Sequence, residues 1–243
     1  MDEKPTWSEE TSTTFIDYGR YFVPDRARQM ETICRLIPPL DRPFVVMELS
    51  HGEGLLAEAI LARFDTAVVQ GYDISPQMRQ TAVTKLVRFD GRFHSHYFDL
   101  REQAWRQPDF TPQAIVTSLT VHHLDGPEKQ QLFRDMHAIL APGGAFIIAD
   151  LIAPANSWAN TLAAAAWDEA VREQTQQLNG NLERFAEFER LEWNLFRYPD
   201  PDFDKPSRLV DQLKWLEAAG FTAVDVYWLR AGHAIFGGYK AGD

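Results

Sequence analysis

The chain has 243 residues, 45% hydrophobic and 24% charged, which suits one globular domain with a sizeable core. A net charge of −11 disfavours the broad phosphate attraction that nucleic-acid binders use, so a small-molecule partner is expected. A lone cysteine, Cys34, excludes an internal disulfide; no apolar run reaches the roughly eighteen residues of a membrane span, and Met1-Asp2-Glu3-Lys4 does not open a signal peptide, so the expected compartment is the reducing cytoplasm.

In chain order, residues 1–13 are polar and read as loose. Phe15 to Tyr21 brings aromatics, and Pro24-Asp25-Arg26 opens a helical pattern with Met30, Ile33, Cys34 and Ile37 on one face, stopped by Pro38-Pro39. Phe44 to Leu49 has the continuous apolar character of a strand buried on both faces, and Leu55 to Phe64 repeats apolar residues at helical spacing. Between them lies Ser50-His51-Gly52-Glu53-Gly54, a turn whose glycines permit positive φ and close approach of a ligand to the following helix N-terminus. A three-glycine dinucleotide fingerprint would need glycine where Ser50, Gly52 and Leu55 stand, so it fails at two of three positions. Ala67 to Asp73 is a second apolar run ending in an acid, placed about twenty residues beyond the turn, where a ribose-binding carboxylate is expected.

Pro76 to Val87 reads as a helix with proline in its first turn. Phe93 to Phe98 alternates like a strand and ends at Asp99-Leu100, where Asp99 could also cap the next segment. His94 and His96 share a strand face but lack cysteine or carboxylate partners at zinc spacing, so no metal is expected. Ala114 to Leu119 is a fourth strand, Pro127 to Leu140 a helix, and Ala145 to Leu151 a further strand. This alternation means an α/β fold with a doubly wound, mostly parallel sheet. From Pro154 to Pro206 the rhythm turns helical, with Trp158, Leu162 and Ala166, then Leu182, Phe185, Phe188, Leu191 and Leu195 at spacings of three and four. Its surplus of aromatics, Trp167, Trp193 and Tyr198 among them, could line a pocket or bury the insertion against the sheet or a homodimer partner. Ser207 is expected to cap a last helix closed by Gly220, and Ala223 to Leu229 and Ala234 to Lys240 form an antiparallel hairpin.

Four stretches carry a resemblance. Glu48, Ser50, Gly52 and Gly54 resemble the first motif of the class I S-adenosylmethionine-dependent methyltransferases, an acid followed by G-x-G-x-G, with Ser50 in place of the first glycine. Gly71-Tyr72-Asp73-Ile74-Ser75-Pro76-Gln77-Met78 resembles the second, and the run from Ser118 to His122-His123-Leu124, with the turn Leu140-Ala141-Pro142-Gly143-Gly144, resembles a third pair of family strings. The resemblance implies a Rossmann-like, seven-stranded sheet: an N-terminal helical cap at 1–40, a cofactor-binding core at 41–152, a helical insertion at 153–206 serving as substrate lid, and a C-terminal helix and hairpin at 207–243 completing the core.

It also implies S-adenosylmethionine as cofactor and S-adenosylhomocysteine as product. Glu48 would answer the ammonium, the backbone at Ser50, Gly52 and Gly54 the amino-acid end, Asp73 the ribose, Ile74 and Met78 the adenine faces, Asp99 and Leu100 the adenine edge, and Ser118 and Leu119 the methionine end. Tyr21, with Tyr18, would cover the methyl group. Proton removal, where the acceptor needs it, would fall to His122 or His123, because histidine titrates nearest neutrality. The leading expectation is methyl transfer to a small-molecule acceptor; the rivals are a tRNA- or protein-modifying methyltransferase and a non-catalytic scaffold of the same fold.

Overall fold

The structure, a computed structural model, describes residues 7–242. Two helices lead, α1 (Glu9–Phe22) and α2 (Arg26–Leu36), followed by β1 (Phe44–Leu49), α3 (Leu55–Arg63), β2 (Ala67–Asp73), α4 (Pro76–Leu86), β3 (Phe93–Tyr97), β4 (Ala114–Ser118), α5 (Gly126–Ile139) and β5 (Ala145–Leu151). Two further helices, α6 (Ser157–Asn179) and α7 (Glu183–Arg190), precede α8 (Leu209–Ala218), β6 (Thr222–Arg230) and β7 (His233–Tyr239). The seven strands form one sheet in the order β3-β2-β1-β4-β5-β7-β6. The first five are parallel, and β7 runs antiparallel to both of its neighbours. Ala231 and Gly232 join β6 to β7 with φ of 52° and 74°, the double left-handed turn that matches strand twist in a two-residue hairpin.

This order fixes where a ligand can sit. The chain steps outward from β1 through β2 to β3, then returns to β4 on the other side of β1, so the crossovers diverge and leave a crevice at the carboxyl ends of β1 and β4. Both faces of the sheet are covered. Val46 packs toward α2 and α3 with Ile33, Leu56 and Ile60, whereas Met47 and Leu49 pack toward α5 and α8 with Phe133, Met136 and Leu216. Each such side chain, once buried, stabilises the fold by about 1.5–3 kcal/mol. All seven residues of β5 are buried, and all but Asp150 are apolar, as a strand covered on both faces requires.

Three expectations need correction. Residues 9–13 are helical rather than loose: Ser8 caps α1, the Ser12 hydroxyl donates to Ser75 Oγ (3.0 Å), and the Gln77 amide donates to Glu9 (3.1 Å), so hydroxyls and a carboxylate fasten the polar stretch to the start of α4. On α6, helical as its spacing indicates, Trp158 and Leu162 are exposed, and Ala164, Trp167, Ala170 and Val171 are buried. Ser207 does not cap α8, whose cap is Arg208; its hydroxyl accepts from Lys129 Nζ (2.8 Å). Tyr21 is packed into the apolar cluster with Phe22, Trp167 and Phe188, away from any opening. Met1 to Lys4, read above for a leader, lie outside the described residues. Among the described residues no helix is long and apolar enough to cross a membrane.

Candidate functional site

A cavity of about 400 Å³ opens over the carboxyl ends of β1, β2 and β4, roofed by α1 and by the segment after α7. The loop from β1 explains its own sequence. Ser50 and Gly52 both lie in the left-handed region (φ 53° and 55°), and Gly54 does too (φ 83°). At Gly52 a Cβ would approach nothing closer than Met78 Sδ at 4.0 Å, so the backbone, not space, asks for glycine. At Gly54 a Cβ would meet Leu86 Cδ1 at 2.9 Å and Ala82 Cβ at 3.1 Å; this glycine lets α4 pack on the start of α3 and does not line the cavity.

Asp73 ends β2 with its carboxylate held from both sides, Oδ2 accepting from the Gly52 amide (2.8 Å) and Oδ1 from the Ser75 amide (2.9 Å). Each oxygen keeps a lone pair toward the cavity. Burial raises its pKa to about 6 against the pull of those amides. Glu48 is buried too, and desolvation followed by the charge of Asp73 pushes its pKa well above the carboxylate range. Arg26, at the first turn of α2, has its pKa lowered by burial to about 10 against the charges of Glu53 and Glu48. Neither Glu48 Oε2 nor Arg26 Nε and Nη1 has a hydrogen-bond partner, and Ser118 Oγ and Arg101 Nε and Nη2 are likewise unpaired. All four residues line the same cavity. Buried polar atoms left without partners cost about 1–3 kcal/mol each, so a cluster of them aimed at one space implies a polar ligand that completes their bonds.

At the far end the short helical turn Val121–His123 presents two imidazoles. His122 is buried, its main-chain amide and Nδ1 both bound to Asp150 (2.9 and 2.5 Å), which directs Nε2 into the cavity. Desolvation alone would discharge His122, but the Asp150 carboxylate and then Asp204 outweigh it and raise its pKa. His123 is pushed the other way by burial and by the neighbouring His122. Asp204, from the loop before α8, has Oδ1 3.5 Å from His122 Nε2 and 3.1 Å from His123 Nδ1. That loop is pinned by Lys129, whose buried ammonium donates to the Lys205 carbonyl and the Ser207 hydroxyl (2.5 and 2.8 Å).

The cavity therefore gathers Glu48, Ser50, Gly52, Asp73, Ile74, Met78, Asp99, Leu100, Ser118, Leu119, His122 and His123, and leaves out Tyr21 and Gly54. Tyr18 stacks on Phe22 and does not line it either. His94 and His96 are exposed on the edge strand, His96 facing Gln70 (2.6 Å). Arg26, Asp150, Asp204 and His233 were not expected. Asp150 could have been found as an acid at the tip of a buried strand, as Glu48 and Asp73 were; Asp204 sits in a loop whose sequence has no periodicity to place it.

A family profile described as a methyltransferase domain matches residues 22–226. Among curated proteins, trans-aconitate 2-methyltransferase of Methylobacterium radiotolerans is 28% identical over 142 residues, 58% of this chain and 48% of the relative. An O-methyltransferase family protein from Burkholderia thailandensis superposes with a TM-score of 0.65 at 15% identity, covering 97% of this chain and 61% of the other. Human N-acetylserotonin methyltransferase, solved in complex with SAM, gives 0.60 at 13% identity over 96% of this chain and 57% of its own. The chain thus spans about half the length of the curated relative and about three fifths of these two structures.

Proposed function

Because the chain belongs to the class I S-adenosylmethionine-dependent methyltransferase family, whose cofactor is S-adenosylmethionine, we propose that it moves the sulfonium methyl to a small-molecule acceptor by in-line displacement. The observation that carries this reading is the set of unpaired buried polar atoms on Glu48, Arg26 and Ser118 beside the fastened carboxylate of Asp73. A sulfonium amino acid nucleoside matches it group for group. Asp73 accepts from the ribose hydroxyls, Glu48 answers the ammonium, and Arg26 takes the carboxylate. Ile74 and Met78 flank the adenine, and Asp99 with Leu100 meets its edge. Leu119 is held in the left-handed region (φ 57°), a strained backbone for a leucine, which fits a wall built to position the reacting end.

Displacement at a sulfonium needs no enzyme nucleophile. Holding methyl and acceptor in line supplies about 7–11 kcal/mol, and proton removal adds about 10²–10⁴-fold where the acceptor carries a proton. His122 and His123 stand at the acceptor end to promote that removal. Trp7 and Phe203 wall His123, Phe15 and Trp193 line the same cavity, and the acids Glu192, Asp200 and Asp204 line it too, Asp204 beside the histidines. A flat, neutral acceptor fits such a wall; a polyanion such as trans-aconitate does not, with Arg26 and Arg101 the lining guanidinium groups among the described residues. The segment carrying Trp193 and Asp204 would act as the substrate lid. The test is methyl transfer from labelled S-adenosylmethionine across a panel of phenols, enols and polycarboxylates: label in an aromatic or enolic acceptor supports the reading, and label only in polycarboxylates, or in none, overturns it.

A further inference from the structure

We propose that His122, His123 and Asp204 form a binding site for a divalent first-row metal ion, which holds the acceptor by two neighbouring oxygens. The inference rests on the methyl-transfer reading for its role, but the site stands on its own geometry. The ligand atoms, one from each residue, all lie within 4.8 Å of one another. Asp204 Oδ1 approaches His122 Nε2 at 3.5 Å and His123 Nδ1 at 3.1 Å, and Asp204 is the polar neighbour of that shielded Nδ1, which no well-aligned hydrogen bond saturates. Ligands around a metal at about 2.0–2.2 Å stand roughly 3.0–3.5 Å apart, so these spacings are the edges of a coordination shell. Asp150 supplies the outer partner, its carboxylate on His122 Nδ1 (2.5 Å) fixing the ring so that Nε2 is the free donor, the carboxylate–histidine arrangement typical of metal ligands. The third ligand does not float: Lys129 ties down the Lys205 carbonyl, and the Lys205 amide donates to the His122 carbonyl at 2.6 Å.

Two imidazoles and one carboxylate suit zinc, iron(II), cobalt(II) or manganese(II), and they leave positions open on the cavity side. An acceptor with a hydroxyl or enol beside a carbonyl, carboxylate or second hydroxyl would fill two of those positions. Its hydroxyl proton is lost to water on coordination; the resulting oxygen or enol carbon forms the bond to the methyl carbon, the carbon–sulfur bond breaks, and its electron pair stays on sulfur as the neutral thioether. Carboxylate-rich surfaces collect metals weakly, but this set is walled by Phe203, whose ring lies 4.4 Å from that of His123, and by Trp7 at 6.3 Å.

Chelator-treated full-length protein titrated with cobalt(II), followed by visible absorption and calorimetry, tests the proposal. One ion per chain is expected, with d–d bands of bound imidazole. Asp204→Asn and His123→Ala should each weaken binding at least tenfold, Asp150→Asn by about 10–100-fold, and the exposed control Asp202→Asn should leave it unchanged. Binding absent at millimolar cobalt, or equal in the wild type and Asp204→Asn, overturns the site. S-adenosylhomocysteine binding measured on the same samples separates the two failures: retained cofactor binding without metal rejects only the metal site, while metal binding without cofactor rejects the methyl-transfer reading.

Discussion

Ser50 occupies a left-handed backbone position that the family pattern gives to glycine, and a residue with a Cβ is strained there by about 1–2 kcal/mol. Ser50→Gly should recover about 1 kcal/mol, offset in part by the extra freedom of the unfolded chain, and raise the melting temperature by about 2–4 °C. An unchanged or lower melting temperature in calorimetry would mean that the serine hydroxyl holds the loop. Arg26 offers the opposite signature. Its guanidinium is buried beside Glu48 with two unpaired nitrogens, so Arg26→Met should leave the unliganded fold as stable as before or more so, yet weaken S-adenosylmethionine binding by about 10–100-fold, the 1.5–3 kcal/mol of a charged hydrogen bond. A structural arginine would lose stability and keep affinity. Asp73 sets a pH limit. Its pKa is raised to about 6 and the ionised form is the one assigned to both ribose hydroxyls, so protonation of Asp73 should lower affinity by up to tenfold per unit below pH 6. Calorimetric titrations between pH 5 and 8 check this; an affinity that rises toward acid contradicts it.

The elements were read from the chain to the extent that their burial is apolar. β1, β2, β4 and β5 are largely hydrophobic runs, and the core helices repeat at three and four because each packs one face on the sheet. α1 was missed in its first turns because it is fastened by hydroxyls of Ser12 and Thr13 rather than by an apolar stripe. The buried face of α6 could not be read in advance, because Trp158 and Leu162 are as hydrophobic as the residues it buries and spacing alone cannot say which of two apolar stripes meets the core. At the α3–α4 junction the glycine signal was read as ligand approach, whereas Gly54 serves packing. Gly54→Ala should therefore cost about 2–4 kcal/mol from strain and overpacking together, seen as a lower denaturation midpoint, with cofactor affinity kept in the molecules that fold. A neutral effect on stability would return Gly54 to the ligand.

At the scale of the whole molecule, the sheet order creates the crevice, and the sequence places an acid near the carboxyl end of three strands around it, Glu48 in β1, Asp73 in β2 and Asp150 in β5. The residues proposed for the cofactor were legible as candidates because local strand-to-helix turns build that part of the cavity from neighbours in sequence. The acceptor half was not, because His122, Asp150 and Asp204 meet only once the chain has wound through β5, α6 and α7. The central claim is that one nucleoside-bearing cofactor bridges Glu48 and Asp73. Isothermal titration of S-adenosylhomocysteine into the wild type and Asp73→Asn tests it most directly. The account predicts one site per chain, weakened by about 10–100-fold in the variant while its circular dichroism spectrum is unchanged; no heat of binding at millimolar ligand, or equal affinity in the two proteins, contradicts it.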